Sequence, residues 1–543
     1  MSAGTAPADV EEFDYVVVGA GSAGCVVAER LSRDTRQTVL VVEAGGEDNW
    51  IWFHIPVGYL FAIGNPRADW MFTTAAESGL GGRSIAYPRG KVVGGSSAIN
   101  AMIAMRGQAA DYDGWAGMGL PGWSWSDVLP YFRSIEDHFL GDTALHGAGG
   151  LMKVQPPRLR WDILDKVADA ATEIGIPRVA DFNGGDNFGV GYFHVNQHMG
   201  RRWSAARGFL ATARRRGNVA VRTGTDAGSL VLEGRMARGV RLRTGTRQWM
   251  ARARREVILC AGAIGSPILL QRSGIGSGAH LQGLGIEVQH DLPGVGENLQ
   301  DHLQLRTIFT VEGVETLNTQ YHNLLARAQM GLNYLLFRRG PLTMAPSQLG
   351  IFARSSPGVD RADLEFHIQP LSLGKFGEPL HTFPAITVSV CNLRPSSRGT
   401  VRLASRDPGI PPAIAPHYLT TEADLQIAAR SILLARSLMR QPALSPYQPR
   451  EYLPGPQVGD TDEELIEAAG AIGTTIFHPV GTARMGPDGD RGAVVDARLR
   501  VRGLGRLRVA DASVVPSITS GNTNTPTMMI GAKAGEMIVT DAR

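Results

Sequence analysis

The chain has 543 residues, of which 43% are hydrophobic, so it is long enough to bury a large core and to form two or more domains. Its 54 basic and 51 acidic residues give a net charge of only +3, which offers no electrostatic case for nucleic-acid binding. The three cysteines are far apart in sequence, which excludes a disulfide framework and a CxxC metal site.

The N-terminal residues Met1 to Glu12 lack the basic and apolar regions of a signal peptide. No uninterrupted apolar run reaches the roughly 18 residues that a membrane span requires. The sequence therefore predicts a cytoplasmic protein without a membrane span. Peripheral association with a membrane stays open.

A dinucleotide-binding βαβ unit opens the chain. An apolar strand beginning near Asp14 runs into Gly19, Gly21 and Gly24, and a helix-compatible stretch and a second strand ending on Glu43 follow. Gly19 permits the tight turn, Gly21 lets the backbone approach a pyrophosphate, and Gly24 lets helix and strand pack closely. Glu43 lies about 20 residues further on, where its carboxylate can accept hydrogen bonds from a ribose.

The later elements predict that this first domain is discontinuous. Residues 311–470 hold alternating strands, Pro-rich turns and an amphipathic helix, a pattern typical of an antiparallel sheet. The strand from Leu507 ends on Asp511 and small residues, a pattern similar to that of the N-terminal βαβ unit. We predict an α/β (α+β) fold with a Rossmann-like cofactor domain formed by residues 12–155, 201–310 and 471–543, and an antiparallel-sheet substrate domain formed by residues 156–200 and 311–470.

Two late segments contain candidate catalytic residues. His478 precedes Pro479, which biases its backbone towards an extended loop. Asn522 and Asn524 lie in a polar loop before an apolar helix. A histidine suits proton abstraction near neutral pH, and an asparagine can hold a developing oxyanion. The alternative for His478 is a loop histidine bonded only to backbone.

The motifs of this chain and their order resemble those of the glucose–methanol–choline (GMC) flavoprotein oxidoreductases. The resemblance runs from about Asp14 to the C-terminus and includes the glycines with Glu43, residues 90–100, 262–276 and 292–302, and the two late segments. It is most similar to the choline-dehydrogenase-like and alcohol dehydrogenase branch. This resemblance implies FAD as cofactor and an antiparallel sheet that roofs the substrate pocket.

The same resemblance implies residue roles. His478 matches the catalytic histidine, and Asn522 matches the second position of the pair. Ile99 stands where some members link FAD covalently through a histidine, which implies non-covalent FAD. The residues expected to contact FAD are Gly19, Gly21, Ser22, Ala23, Gly24, Glu43, Ala44, Gly90, Val93, Gly94, Gly95, Ser96, Asn100, Ala227, Ala261, Asp511, Ala512, Asn524 and Thr525.

The implied reaction is hydride transfer from a primary alcohol to flavin N5, giving an aldehyde. A separate quinone-like acceptor or oxygen would reoxidise the flavin. An apolar segment over 332–349, interpreted as part of the pocket roof, favours an aliphatic or otherwise apolar alcohol. The alternatives are an oxygen-using alcohol oxidase, a lyase of the same fold with structural FAD, an NAD-dependent dehydrogenase and a binding protein without redox activity.

Three further sets of polar residues carry weaker expectations. His194 and His198 have a spacing that could bind metal on a helix, but this stretch favours a strand, and we predict no metal site. Asp301 and His302 are expected to fix the loop beneath the cofactor. Cys391 lacks the neighbouring pattern of the photodecarboxylase branch, which disfavours a photoenzyme.

Overall fold

The computed structural model describes residues 9–374 and 377–542, which form two large sheets with helices around them. The first eight residues, on which the argument against a signal peptide partly rests, lie outside the described residues. Within the described ranges, the search for a helix long and apolar enough to cross a bilayer found none.

The first sheet is mostly parallel and is built on the N-terminal βαβ unit. Val16, Val17 and Val18 are buried on both faces, as residues of a parallel strand between helices are. Two antiparallel strands extend one edge. In spatial order the strands are Val219–Arg222, Val39–Val42, Val10–Val18, Arg247–Leu259, Met236–Thr244 and Thr225–Glu233, and Leu507–Val509 also pairs with Arg247–Leu259.

Two helices at opposite ends of the chain pack on each other beside this sheet. Ser22–Leu31 follows the glycine turn, and Asn524–Asp541 closes the chain. A Cβ on Gly531 would lie 2.8 Å from the carbonyl oxygen of Ala23, so the two helices approach at a glycine. The other α-helices of the described residues are Tyr59–Ala62, Ala109–Gly117, Trp125–Ile135, Asp162–Glu173, Ala211–Arg214, Gly262–Arg272, Gly278–Gly283, Leu317–His322, Leu324–Phe337, Glu422–Met439 and Asp462–Ile472.

The second sheet is antiparallel throughout, as the alternating sequence pattern predicts. Its strands in spatial order are Arg450–Leu453, Leu303–Thr310, Ala385–Asn392, Leu364–Gln369, Leu349–Ala353 and Gly189–Tyr192, and Gly473–Thr475 also pairs with Leu303–Thr310. The predicted fold class, a Rossmann-like domain with a second antiparallel sheet, is confirmed.

The domain limits stay a prediction. Leu303–Thr310 and Gly473–Thr475 belong to the second sheet, although both fall within segments that we predict for the cofactor domain. Four two-stranded pairs complete the strands: Glu136–His138 with Met152–Val154, Gln197–His198 with Arg201–Arg202, Ile275–Gly276 with His290–Asp291, and Thr400–Arg402 with Ala413–Ala415.

Candidate active site

A cavity of about 1180 Å³ is lined by residues of both sheets. Val18 and Glu43 line it from the first sheet, and Gln304, His367 and Gln369 line it from the second. The volume exceeds the roughly 300–1,000 Å³ of pockets that hold a drug-sized ligand. The cavity therefore has room for a dinucleotide and a small substrate together.

Most residues that the sequence singles out line this cavity. They are His478 and Asn522 together with Gly19, Gly21, Ser22, Ala23, Glu43, Ala44, Gly90, Gly95, Ser96, Asn100, Ala227, Ala261, Asp511, Ala512 and Asn524. Gly24, Val93, Gly94 and Thr525 do not line it. Gly24 serves packing instead, because a Cβ there would lie 1.9 Å from the carbonyl oxygen of Gly19.

One end of the cavity has the features of a phosphate site. Gly19 has φ of +104°, a conformation that favours glycine, and the helix Ser22–Leu31 begins without a side-chain cap. Its first N–H groups are therefore left for a ligand, and the helix dipole favours an anion there. A second glycine-rich loop lies against this turn, since a Cβ on Gly95 would lie 2.7 Å from Cα of Gly21.

Two buried carboxylates flank the phosphate end. Glu43 accepts backbone N–H bonds from Ala20 at 3.0 Å and Gly45 at 2.8 Å. Burial raises the pKa of Glu43 to about 7 despite those bonds. Burial also raises the pKa of Asp511, although its carboxylate accepts bonds from Gly262 and from nearby serines.

His478 and Asn522 meet at the other side of the cavity. The Nδ2 atom of Asn522 lies 3.0 Å from Nε2 of His478, and each residue is only 7% exposed. The Oδ1 atom of Asn522 is buried, and no described residue accepts or donates a hydrogen bond there. The late segments thus bring a ring nitrogen and an amide together on one wall.

A chain of contacts assigns the tautomer of His478. The Nε2 atom of His302 lies 3.1 Å from the carbonyl oxygen of Leu393, which can only accept, so Nε2 carries the proton. The Nδ1 atom of neutral His302 is then an acceptor, and it lies 3.1 Å from Nδ1 of His478. His478 must donate from Nδ1, which leaves a lone pair on Nε2, the atom beside Asn522.

The electrostatics favour the neutral form of both rings. Burial lowers the pKa of His478 well below its usual value, and the nearby groups His302, His367 and Arg89 lower it further. Burial also lowers the pKa of His302. Neutral rings are the form that the tautomer chain requires.

Asp301 holds the backbone of the same loop. Its Oδ1 accepts the N–H of His478 at 2.8 Å, and its Oδ2 accepts the hydroxyls of Thr475 and Tyr418. The structure places Asp301 and His302 against His478, and the expectation that they fix the loop beneath the cofactor stays a prediction. Arg89 also reaches this loop by donating to the carbonyl of Phe477 at 2.7 Å. No sequence motif linked Tyr418 or Arg89 to His478.

Asn524 has a different surrounding from Asn522. Its Oδ1 accepts the hydroxyl of Ser22 at 2.7 Å, which ties it to the start of the first helix. Thr525 follows in the next position, and its hydroxyl is buried with no hydrogen-bond partner among the described residues. These contacts separate Asn524 from the imidazole and associate it with the dinucleotide end.

A buried group of possible metal ligands lies on two neighbouring strands of the second sheet. The ligand atoms of Glu365, His367 and Cys391 lie within 4.8 Å of one another. His194 and His198 are not part of that group; Nδ1 of His194 instead lies 3.5 Å from Asp181. The prediction of no metal stays a prediction. Burial raises the pKa of the Cys391 thiol well above its usual value, and Cys391 does not line the cavity.

The apolar segment over 332–349 is not the pocket roof that the sequence suggests. Leu332, Leu335 and Leu336 are 56%, 67% and 60% exposed, and of the whole segment only Pro346 and Ser347 line the cavity. The interpretation was wrong because apolar periodicity shows that a face is hydrophobic without showing what covers it.

Comparisons with known proteins show the family of the chain. Family models of the GMC oxidoreductase match residues 13–304 and 395–531. The chain is 38% identical over 531 residues to an alcohol dehydrogenase [acceptor] of Pseudomonas putida, covering 97% of this chain and 96% of that one. It is 40% identical over 537 residues to an oxygen-dependent choline dehydrogenase of Brucella anthropi, with the same coverage. A solved FAD-dependent oxidoreductase of Chaetomium thermophilum has a TM-score of 0.89 at 27% identity, covering 98% and 100% of the two chains.

Proposed function

The chain belongs to the GMC oxidoreductase family, whose members are FAD flavoproteins, and we propose that it oxidises an uncharged primary alcohol to an aldehyde. The observation that carries the proposal is the lone pair on Nε2 of His478, held 3.0 Å from the amide of Asn522. A neutral imidazole beside an amide donor can take a hydroxyl proton and hold the oxygen that remains.

The residues of the cavity fit FAD. The uncapped helix start at Ser22 and the glycine turn suit a pyrophosphate, and Glu43 suits a ribose. The helix that starts at Asn524 also lacks a side-chain cap, and the buried Oδ1 atom of Asn522, which lines the cavity, has no hydrogen-bond partner among the described residues. Buried polar groups without partners are rare, and a ligand with hydrogen-bonding edges would satisfy them.

The protein's own residues perform the proton chemistry. An alcohol that displaces the amide of Asn522 from Nε2 of His478 would donate its O–H to Nε2 and accept the N–H of Asn522 on its own oxygen. As the proton moves to Nε2, His302 stabilises the forming imidazolium by accepting from Nδ1. Asp301 keeps the loop in place through the backbone N–H of His478. FAD, when bound, supplies the acceptor for the hydride that leaves the alcohol carbon.

The charges around the cavity favour an uncharged substrate. Its three lining carboxylates all have partners within the described structure: Glu43 and Asp511 accept several hydrogen bonds, and Asp226 pairs with Arg243. Lys91 lies over the ring of Trp70, which lines the cavity and is 38% exposed. A quaternary ammonium would meet this positive charge and no free carboxylate, so we propose an apolar alcohol rather than choline.

We further propose that FAD is bound without a covalent link and that a separate quinone-like acceptor or oxygen takes the electrons. Ile99 lines the cavity and is 3% exposed, and an isoleucine has no nucleophile to form a link.

Anaerobic mixing with a panel of alcohols tests the proposal. Hexanol or octanol should bleach the oxidised flavin band, and choline at equal concentration should do so far more slowly. Faster bleaching of the flavin band with choline than with the alkyl alcohols would overturn the proposed substrate class. No bleaching with any alcohol, in a protein that holds FAD, would favour a lyase with structural FAD. Repeating the reaction in air and with a soluble quinone then separates an oxidase from a dehydrogenase.

A further inference from the structure

The helix Leu324–Phe337 shows an apolar face to the outside of the protein. Its inward face is formed by Met330 and Tyr334, which are buried. The opposite face, at helical spacing, is formed by Leu324, Leu325, Ala328, Leu332, Leu335 and Leu336. Those five leucines are 76%, 83%, 56%, 67% and 60% exposed, and Phe337 at the end of the helix is 63% exposed.

A helix on the surface of a water-soluble domain normally carries polar residues on its outer face. The helix Leu324–Phe337 is apolar on both faces. Single exposed leucines are ordinary on protein surfaces, whereas a contiguous row of them marks an interaction surface. We call the six outward residues named above, together with Phe337, the leucine face.

Along the sequence, the leucine face is flanked by cations without acids. No Asp or Glu occurs between Glu315 and Asp360, whereas Arg327, Arg338 and Arg339 lie on or next to the helix. The side chain of Arg158 places another positive charge at the end of the helix, where its guanidinium donates a hydrogen bond to the carbonyl oxygen of Arg338 at 3.1 Å.

A neighbouring segment of the same polypeptide extends this surface. The hydroxyl of Tyr334 donates to the carbonyl of Gly200 at 3.1 Å. The two residues before and after that glycine are Met199, which is 69% exposed, and Arg201, which is also exposed. An exposed apolar residue and an exposed cation thus repeat the chemistry of the helix beside it.

We propose that the leucine face docks on the surface of an anionic phospholipid bilayer, with the helix lying in the plane of the interface. Fourteen residues make a helix about 21 Å long, too short for the roughly 30 Å hydrocarbon core, so it lies on the membrane and does not cross it. Leucines enter the boundary of the acyl chains, and the arginines contact anionic headgroups. A second copy of the chain is a poorer occupant, because two such faces would bring their arginine rims together.

This docking surface lies beside the substrate cavity. Tyr59 and Ile63 line the cavity, and both pack in the cluster that holds the inward-facing Tyr334. The membrane interaction itself goes beyond the proposed function and does not depend on it. If both hold, apolar substrates or acceptors dissolved in the bilayer reach the cavity from the docked side.

Vesicle flotation of the FAD-loaded protein tests the proposal. Vesicles of equal parts phosphatidylglycerol and phosphatidylcholine should carry at least about ten-fold more protein than vesicles of phosphatidylcholine alone, and added salt should reduce the difference. The double variant Leu332→Glu/Leu336→Glu should lose this binding. Both positions are exposed, so FAD content and flavin reduction should not change.

Two matched variants complete the experiment. Met118→Glu/Val10→Glu adds the same charge at residues that are 47% exposed elsewhere, and it should still float. Arg327→Glu/Arg339→Glu should lose binding to the anionic vesicles. Wild type that stays at the bottom of the gradient, or equal flotation of Leu332→Glu/Leu336→Glu, would overturn the proposal. So would sedimentation showing that wild type is a dimer which those two changes dissociate, without vesicle binding.

Discussion

The Nδ1 atoms of His302 and His478 lie 3.1 Å apart, and this contact decides which nitrogen of His478 is the base. His302 cannot donate from Nδ1, because its Nε2 proton is committed to the carbonyl of Leu393. The proton of His478 is therefore on Nδ1 and the lone pair is on Nε2, towards Asn522. His302 acts through His478 and is a positioning residue rather than a catalytic one.

Replacing His302 by phenylalanine should slow flavin reduction by roughly 5- to 150-fold, because the buried N–H of His478 would lose its acceptor at a cost of about 1–3 kcal/mol. His302→Asn, which keeps an acceptor oxygen, should recover part of the rate. Stopped-flow reduction at saturating alcohol measures both. A merely structural role would lower FAD occupancy or thermal stability without changing the pH profile, whereas loss of the tautomer control should change that profile.

The depressed pKa of His478 predicts a rate that is flat above pH 6.5 with respect to this group and falls only on the acid side. The neutral ring is the active form, so lowering the pKa extends activity to lower pH. The free energy of unfolding changes in the same direction. Between the folded and the unfolded pKa of His478, the unfolded state binds one more proton than the folded state. The stability of the protein therefore falls as the pH drops below about 6.5. Flavin reduction rates measured from pH 5 to 9 test this, and an acid limb centred above pH 7 would contradict it.

The sequence predicted the parts of the site that depend on short motifs. The glycine turn and Glu43 follow from local spacing, because a turn or strand end forms by local rules, whereas the pair at 478 and 522 was assigned from the family resemblance. His302 and His478 are 176 positions apart, and Tyr418 reaches the His478 loop through Asp301, which is 117 positions from it, so no local pattern encodes either contact. The segment over 332–349 shows the same limit, since its apolar composition did not indicate which of its side chains face outward.

Acid or heat should release the flavin into the supernatant. The reason is Ile99, whose side chain can form no bond to FAD and which, by the family resemblance, stands where some members carry a linking histidine. The absorbance of the pellet and the supernatant after precipitation measures the outcome. Flavin that stays with the precipitated chain would mean that another residue forms the link.

His478→Ala should lower the rate of flavin reduction by a factor on the order of 10² or more, as loss of a positioned base does. FAD content should stay near that of the wild type, because the contacts that fit the pyrophosphate and ribose lie at Ser22 and Glu43, away from the imidazole. Anaerobic reduction by a primary alcohol is the measurement, with flavin content determined on the same sample. A reduction rate equal to the wild type would place the base elsewhere.

Asn522→Ala and Asn524→Ala form a matched pair, because the same truncation is made two positions apart in one loop. Asn522 contacts Nε2 of His478 at 3.0 Å, whereas Asn524 accepts from Ser22 at 2.7 Å. Asn522→Ala should slow flavin reduction by less than His478→Ala does and leave FAD bound. If Asn522 stabilises the developing oxyanion, its loss costs at most the roughly 2.7–4 kcal/mol of an oxyanion donor.

Asn524→Ala should act mainly through FAD, because its contact ties the last helix to the helix that would hold the pyrophosphate. We expect weaker FAD retention or a shifted flavin potential, with reduction near the wild-type rate once FAD is saturating. Both variants should therefore be compared at full occupancy, by anaerobic reduction and by a redox titration. If Asn524→Ala abolished reduction at full occupancy while Asn522→Ala left it intact, the catalytic partner of His478 would be Asn524, and the 3.0 Å contact would be structural only.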